Sequence, residues 1–212
     1  MKLLAIDTTT EQASVGLLVG SSIQHQTFAH LREHARFILP SIDTLLSQAQ
    51  LSLSQLDGIV FGRGPGSFTG LRIACSVAKG LGFAHDLPLF PVSSLITIHH
   101  QAQQHYPHID HILTVIDARM QQLYWQYHTN NKVFTEKVAD VQEIEQAGIS
   151  PKLIAGWGYE PYQAALKLAF KDALYLKVYP SAHAMLSLAL SQALQPVSAA
   201  KASPVYIRNS VT

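Results

Sequence analysis

Two stretches of this chain, about 110 residues apart, share one layout. A short apolar run at residues 3–6 ends in Asp7, and a second apolar run at residues 113–116 ends in Asp117. Each aspartate leads into a polar turn and then into two further segments with strand character. Each half continues with a helical segment, a buried strand and a second helix. The constant offset predicts two copies of one β-β-β-α-β-α unit.

A duplicated unit of this kind predicts an α/β protein with the ribonuclease-H-like fold of the actin-like ATPases, built as two lobes. The segment Tyr106-Pro107-His108 marks the expected boundary. We expect residues 1–106 to form the N-terminal lobe, with a glycine-rich loop and interface helices. Residues 107–212 are expected to form the C-terminal lobe, whose last segment can pack back on the first. Two unrelated meanders that each end in aspartate would not explain the shared offset.

Composition limits the function classes. Of the 212 residues, 48% are hydrophobic and 14% are charged, which predicts a folded core. The net charge of +1 and the absence of a basic run argue against a protein that grips nucleic acid alone. Cys75 is the only cysteine, so an intramolecular disulfide is excluded and a reducing compartment is favoured. The apolar run at residues 3–6 is too short for the core of a signal peptide, and the sequence has no membrane-spanning run, so we expect a soluble, cytoplasmic protein.

A glycine-rich stretch, residues 62–70, follows one apolar strand segment and precedes a long apolar helix. Such a turn presents backbone N–H groups at the positive end of a helix, where an anion can bind. The stretch does not match the Walker, dinucleotide-binding or nucleophile-elbow patterns. It is predicted to be either a rigid structural loop or an anion site formed by Gly64, Gly66, Ser67, Thr69 and Gly70.

Two other groups of residues suggest catalysis. Asp7 and Asp117 could hold magnesium or orient a water for phosphoryl transfer. However, the turn after Asp7 is made of β-branched threonines where a phosphate turn needs glycine, which favours a structural role. His30, Glu33 and His34 match the H-x-x-E-H pattern of some zinc peptidases. A catalytic zinc needs a third protein ligand, and a histidine-rich surface explains these residues more simply.

Several motifs together resemble one family. They are residues 62–73 with the glycine stretch, Ala78-Lys79-Gly80-Leu81, Pro91-Val92-Ser93-Ser94-Leu95, Ile6-Asp7-Thr8-Thr9, Asp117-Ala118-Arg119 and Val205-Tyr206-Ile207-Arg208. The sequence resembles, over essentially its whole length, the TsaB family of bacterial tRNA threonylcarbamoyladenosine biosynthesis proteins. The glycine loop and the helix after it carry the most specific part of this resemblance.

The resemblance implies a non-catalytic scaffold with no catalytic residue, metal or cofactor of its own. Members pair with the related catalytic subunit TsaD and work with the ATPase TsaE, and ATP or ADP with magnesium is expected only in the assembled complex. That complex transfers the threonylcarbamoyl group of threonylcarbamoyl-AMP to the adenosine 3′ of the anticodon, in tRNAs that read codons beginning with A. Contact with tRNA is expected only through the complex, and a homodimer is expected when the subunit is alone.

The same resemblance places Ser94 and Ile98 where TsaD has two metal-binding histidines, so the catalytic metal site is expected to be lost. The first two helices carry apolar stripes wider than one core face needs, which predicts a partner interface. The residues assigned to it are His34, Ile38, Ile42, Leu46, Leu71, Ala74, Val77 and Ala78. An actin-like ATPase or small-molecule kinase using Asp7 and the glycine loop remains an alternative, as does a zinc peptidase.

Overall fold

The computed structural model describes residues 1–29, 34–130 and 132–208, and the side chains of residues 34 and 35 are not considered. The chain forms two compact units, and each unit combines two separate stretches of sequence. Unit 1 contains Met1–Thr97 and Pro180–Val205, and unit 2 contains Ile98–Tyr179 and Tyr206–Thr212.

Unit 1 is built around a five-stranded sheet with the order β3-β2-β1-β4-β5. β1 pairs with β2 in antiparallel fashion and with β4 in parallel fashion, while β2–β3 is antiparallel and β4–β5 is parallel. Its strands are β1 Lys2–Asp7, β2 Ala13–Val19, β3 Ser22–Phe28, β4 Gly58–Gly64 and β5 Leu89–Ser93. β1 and β4 are almost wholly buried because helices cover both faces of the sheet.

Helices α1 (His34–Gln48) and α2 (Phe68–Ala84) pack against one face of this sheet. Pro40 lies inside α1, which continues beyond it. Ser67 caps α2 by accepting a hydrogen bond from the Gly70 N–H at 3.4 Å. On the other face lies α6 (Ala182–Ser191), whose buried side chains include Met185 and Leu186. Unit 1 therefore depends on a helix that comes late in the sequence.

Unit 2 repeats the same arrangement around a six-stranded sheet. The order is β11-β10-β6-β7-β8, and β9 also pairs with β7. β6 is antiparallel to β7 and parallel to β10, which is parallel to β11. The strands are β6 Ile112–Asp117, β7 Leu123–Thr129, β8 Lys132–Val133, β9 Lys137–Ala139, β10 Leu153–Trp157 and β11 Leu174–Lys177. The helices α3 Ser94–His105, α4 Val141–Gln146 and α5 Gln163–Ala169 complete the element order.

The predicted duplication and α/β fold are confirmed, although the first sheet has one strand more than the predicted unit and the second sheet has two more. β1, β2, β4 and β5 correspond in order and direction to β6, β7, β10 and β11. The compact units differ from the sequence division at residue 106: the first ends at Thr97, inside α3, and also takes in Pro180–Val205. Among the described residues, no helix is long and apolar enough to cross a membrane.

Candidate functional site

The first acidic turn lies at the end of β1 and is closed to solvent. Asp7, Thr8, Thr9 and Thr10 are at most 1% exposed. One oxygen of Asp7, Oδ1, accepts hydrogen bonds from the Thr9 N–H at 3.0 Å and from the Thr9 hydroxyl at 2.9 Å. The Ser94 hydroxyl donates in turn to Thr9 Oγ1 at 3.1 Å. The threonines therefore hold the carboxylate inside the fold.

The glycine-rich loop covers this turn. The Ser67 N–H donates to the Thr9 carbonyl at 2.7 Å, and the Thr8 hydroxyl donates to the Gly70 carbonyl at 2.6 Å. A Cβ at Gly66 would meet the Thr9 carbonyl oxygen, and a Cβ at Gly70 would meet the Thr8 carbonyl oxygen. Glycine is needed at both positions because the two backbones touch.

Asp7 is an unusual buried acid. Its Oδ2 atom is buried and has no hydrogen-bond partner within the described part of the chain, and a Cβ at Gly62 would lie 2.3 Å from that oxygen. Burial raises the pKa of Asp7 to about 6 from an ordinary 3.8, and the hydrogen bonds from Thr9 oppose this shift only partly. The glycine loop bonds directly to this turn, and the Asp7 side chain has no solvent-exposed surface.

Most of the loop residues proposed as an anion site already make hydrogen bonds or packing contacts within unit 1. The Ser67 and Gly70 amides already donate within the loop and turn. Gly64 has a φ of 103° and packs against Leu71. Thr69 is exposed. This geometry favours the structural loop over the anion site, and an anion at the remaining amides stays a prediction.

The second acidic turn, at the end of β6, has a different environment. Asp117 accepts hydrogen bonds from the Arg119 N–H and from the Tyr162 hydroxyl, both at 2.8 Å, and its other oxygen lies 3.1 Å from the Arg119 guanidinium. The glycine at 158 packs on the Asp117 side chain. Burial, followed by the bond to Asp117, raises the pKa of Tyr162 to about 12. The Arg119 side chain is 78% exposed, whereas that of Asp117 is 10% exposed.

Three consecutive residues of this second turn have left-handed backbone conformations, with φ of 61° at Arg119, 53° at Met120 and 60° at Gln121. Such a run is costly for residues other than glycine. Two bonds close it: the Ala118 N–H donates to the Gln122 carbonyl, and the Gln122 N–H donates to the Arg119 carbonyl. Arg208 also braces it, through Gln122 Oε1 at 2.5 Å and the Met120 sulfur at 3.2 Å.

The residues assigned to a partner interface need correction. Six of them are 6% exposed or less and lie in the core of unit 1: Ile38, Ile42, Leu46, Leu71, Ala74 and Ala78. Val77 is partly buried against the same core. A buried side chain has no surface to offer a partner, because the apolar stripe of each helix is the face that packs on the sheet. Among the described side chains of α1 and α2, the large apolar residues that are exposed are Leu39, Phe68 and Phe83.

The peptidase alternative concerns His30, Glu33 and His34. His30 and Glu33 lie outside the described residues, as does the side chain of His34. Among the residues that the structure does describe, no group of three or more His, Cys, Asp or Glu side chains could hold a metal ion. Ser94 and Ile98 are both fully buried.

Comparisons with known proteins identify the family. Residues 24–201 match the model of the family described as TsaD: tRNA N6-adenosine threonylcarbamoyltransferase. The tRNA threonylcarbamoyladenosine biosynthesis protein TsaB of Haemophilus influenzae is 35% identical, over 100% of this chain and 95% of that protein. TsaB of Escherichia coli is 32% identical over 100% of this chain and 96% of that protein. The chain belongs to the TsaB family.

Solved structures support this membership. YeaZ from Pseudomonas aeruginosa has a TM-score of 0.81 and 32% identity, covering 97% of this chain and 99% of that one. The ROK hexokinase of Thermus thermophilus has a TM-score of 0.50 and 12% identity, covering 91% of this chain and 100% of that one, and shows only a shared fold. The resemblance to the TsaB family is therefore confirmed.

Sequence reasoning did not find two parts of these sites. Gly62, which leaves room for the Asp7 oxygen, was seen only as one glycine among several. Tyr162 and Arg208 were not connected with Asp117, because 45 residues separate Tyr162 from that turn and Arg208 lies near the end of the sequence. The family motif that contains Arg208 was the only signal for it.

Proposed function

We propose that this protein is a non-catalytic subunit in tRNA threonylcarbamoyladenosine biosynthesis and that it binds a catalytic partner of the TsaD family. The observation that carries the proposal is similarity to two TsaB proteins over the whole chain. The match to the TsaD family model also suggests that chain and partner share one fold. We propose the cytoplasm as its place of action, since tRNA is modified there.

Two features support a non-catalytic role. The acidic turn that would face a phosphate in an actin-like enzyme is covered by the glycine loop, and Asp7 is fully buried. Where TsaD is expected to use histidines, Ser94 bonds to Thr9 and Ile98 lies in the core. The kinase alternative requires an accessible Asp7, and the burial of this residue argues against it.

The surface proposed for the partner consists of the outward faces of α1 and α2. Phe83 is 84% exposed, Leu39 is 54% exposed and Phe68 is 51% exposed. The Arg72 guanidinium lies over the Phe68 ring, 3.8 Å from its centroid. Arginine is enriched in protein interfaces, so this pair suits a contact surface next to the exposed apolar residues. A second copy of this chain would use the same faces when the partner is absent.

Copurification with a TsaD-family partner tests this surface. We expect Leu39→Glu and Phe83→Glu each to weaken the complex by at least about tenfold, because each puts a charge into an apolar contact. Leu168→Glu is the matched control, since Leu168 is an equally apolar and 75% exposed residue of α5. Unchanged binding by both α1 and α2 variants, with normal thermal unfolding, would refute the proposed face.

The role in the pathway is tested by reconstitution. We expect tRNA threonylcarbamoylation by TsaD and TsaE, with ATP, magnesium and threonylcarbamoyl-AMP, to require this protein. Asp7→Asn should preserve that activity once folding is verified, because a structural aspartate does no chemistry. Activity that disappears in a folded Asp7→Asn protein, or magnesium-dependent ATP turnover by the isolated chain, would instead favour the kinase alternative.

A further inference from the structure

Two exposed histidines lie side by side on unit 1, on the face of the sheet that α6 covers. His25 is in the middle of β3, and His183 is the second residue of α6. Their ring centroids are 4.9 Å apart, and the planes of the two rings are inclined by 59°. Both residues are exposed. Because α1 and α2 pack on the opposite face of the sheet, this pair is separate from the surface proposed for a partner.

The packing of α6 on the sheet brings these two rings together. His25 pairs in register with Gly16 on β2. A Cβ at Gly16 would lie 3.3 Å from the Ala182 Cβ atom and 2.9 Å from the Leu186 Cδ1 atom, so glycine lets α6 approach the sheet closely here. The Ala182 N–H donates to the Ser14 hydroxyl at 2.8 Å, which fixes the first residue of α6 on β2. The backbone therefore holds both histidines in place before any ligand arrives.

The geometry of the pair fits two ligands of one metal ion. An imidazole nitrogen binds Zn²⁺ at about 2.0–2.1 Å, which places the ion about 3.2 Å from the ring centroid. With the centroids 4.9 Å apart, two such bonds meet at an angle of about 100°. This angle lies between the octahedral and the tetrahedral value. Rings inclined by 59° can share an ion because their planes cross.

A second histidine pair shows that proximity alone does not make such a site. The rings of His99 and His128, in unit 2, stack 3.8 Å apart with planes inclined by only 7°. The lone pair of an imidazole nitrogen lies in the plane of its ring, and nearly parallel planes do not meet at a point that one ion can occupy. His128 is also buried, at 3% exposure. Only the tilted, exposed pair on unit 1 has the geometry of a chelate.

The chemistry of the pair is that of a transition-metal site. Within the described part of the chain, neither ring makes a hydrogen bond or an ion pair. Burial, followed by the charge of His25, lowers the pKa of His183, which favours the neutral imidazole that binds metal. Imidazole suits Zn²⁺, Cu²⁺ and Ni²⁺. We propose that His25 and His183 bind one divalent transition-metal ion, with water completing its coordination, and that this ion fastens α6 to the edge strand β3.

Calorimetric titration of the full chain, without a histidine tag, with Cu²⁺, Ni²⁺, Zn²⁺ and Mg²⁺ tests the site. We expect one Cu²⁺ ion per chain to bind below millimolar concentration, Ni²⁺ and Zn²⁺ to bind more weakly, and Mg²⁺, which prefers oxygen ligands, not to bind. His25→Ala and His183→Ala should each weaken Cu²⁺ binding about tenfold or more, because the remaining imidazole loses its chelating partner. His85→Ala is the matched control, since it removes an exposed histidine directly after α2 and should leave the affinity unchanged.

The link between strand and helix should also appear in thermal unfolding. A ligand that binds only the folded arrangement stabilises it. Saturating Ni²⁺ should therefore raise the unfolding midpoint of wild type and of His85→Ala by a few degrees, and should leave the midpoints of His25→Ala and His183→Ala unchanged. Both histidines of the pair are exposed, so neither alanine variant should unfold the chain in the absence of metal.

Four results would overturn the site. They are no Cu²⁺ binding below millimolar concentration, unchanged affinity in both His25→Ala and His183→Ala, an equal loss in His85→Ala, and an equal rise of the unfolding midpoint with Ni²⁺ in wild type and in both variants of the pair. A loss of Cu²⁺ binding in His30→Ala that equals the loss in His25→Ala would assign the ion to the H-x-x-E-H motif and refute the pair in the same way.

Discussion

At the scale of single residues, the closed turn depends on glycines that let two backbones touch. A methyl group at Gly70 would meet the Thr8 carbonyl oxygen, a backbone atom that cannot move aside without shifting β1. Gly80 lies in the same helix, and a methyl group there would meet nothing within 4 Å. Gly70 and Gly80 therefore have opposite expected responses to the same substitution.

We predict that Gly70→Ala lowers the free energy of unfolding by about 2 kcal/mol or more, because the clash is with backbone. Gly80→Ala should instead raise it by about 1 kcal/mol, since alanine favours an exposed helix position. Urea unfolding of both variants measures the difference. Equal effects of the two substitutions would show that the loop does not contact the turn in solution.

Asp7 predicts a specific dependence of stability on pH. Its pKa is about 6 in the folded protein and close to 3.8 in the unfolded chain, so the folded state binds the proton more tightly. The stabilisation that the folded state gains from this proton is fully present below about pH 4 and is lost as the pH rises through 6. Across this range the free energy of unfolding should fall by as much as about 3 kcal/mol because of Asp7, and Asp7→Asn should remove this pH dependence.

The measurement is urea unfolding of wild type and Asp7→Asn from pH 4 to pH 8. The buried rings of His99 and His128 have lowered pKa values, about 4 and about 3, and they weaken the fold in the opposite direction as the pH falls. Both proteins contain these histidines, so the difference between their free energies of unfolding cancels the histidine contribution. A difference that stays constant across this range would contradict the burial of Asp7.

At the scale of helices and strands, the sequence predicted the features that depend on the local spacing of apolar residues. The buried strands and their order in each half followed from short apolar runs between turns. The interface residues did not follow, because the apolar stripe of a helix identifies its core-facing side. Ile42 and Leu46 were assigned to the interface because they belong to that stripe, and both are buried. Phe83 is exposed, but no pattern in the sequence distinguishes it from a buried residue.

The contacts between distant segments were also beyond sequence reasoning. The acidic turn and the glycine loop were each recognised, yet nothing local indicates that Thr8 bonds to Gly70 across 62 residues. The closed state of the first turn could not be distinguished from an open phosphate site for this reason. The same holds for Arg208 on the turn that follows Asp117.

α6 is the element whose contribution can be measured most simply. Leu186 is fully buried and lies over Gly16, where a Cβ would be 2.9 Å from its Cδ1 atom. We predict that Leu186→Ala costs about 2–5 kcal/mol through the lost burial and the cavity left behind. Leu190, in the same helix but 45% exposed, is the control, and Leu190→Ala should cost about 0.5 kcal/mol. Similar losses by urea unfolding in both would mean that α6 does not cover the sheet.

At the scale of the whole molecule, the chain cannot be divided at one point in its sequence. Unit 1 needs Pro180–Val205 as well as Met1–Thr97. We predict that a fragment of residues 1–106 does not fold, because the sheet face formed by Leu3, Ala5 and Val60 loses its cover. Circular dichroism and NMR dispersion measure this.

The control joins residues 1–97 to residues 180–205 through a flexible linker, and this protein should fold. A well-folded fragment of residues 1–106 would contradict the dependence on α6. A linked protein that stays unfolded would show instead that unit 1 needs more than its own two stretches.

The late position of α6 in the sequence also affects how unit 1 folds during synthesis. A ribosome adds about 5–20 residues per second, so the intervening 98–179 segment takes on the order of 4–16 seconds to synthesise. During that interval the five strands of unit 1 exist, but the helix that covers one face of their sheet has not been made. Newly made chains therefore pass through a stage with an apolar sheet face open to chaperones and to aggregation, and rare codons before α6 would lengthen it.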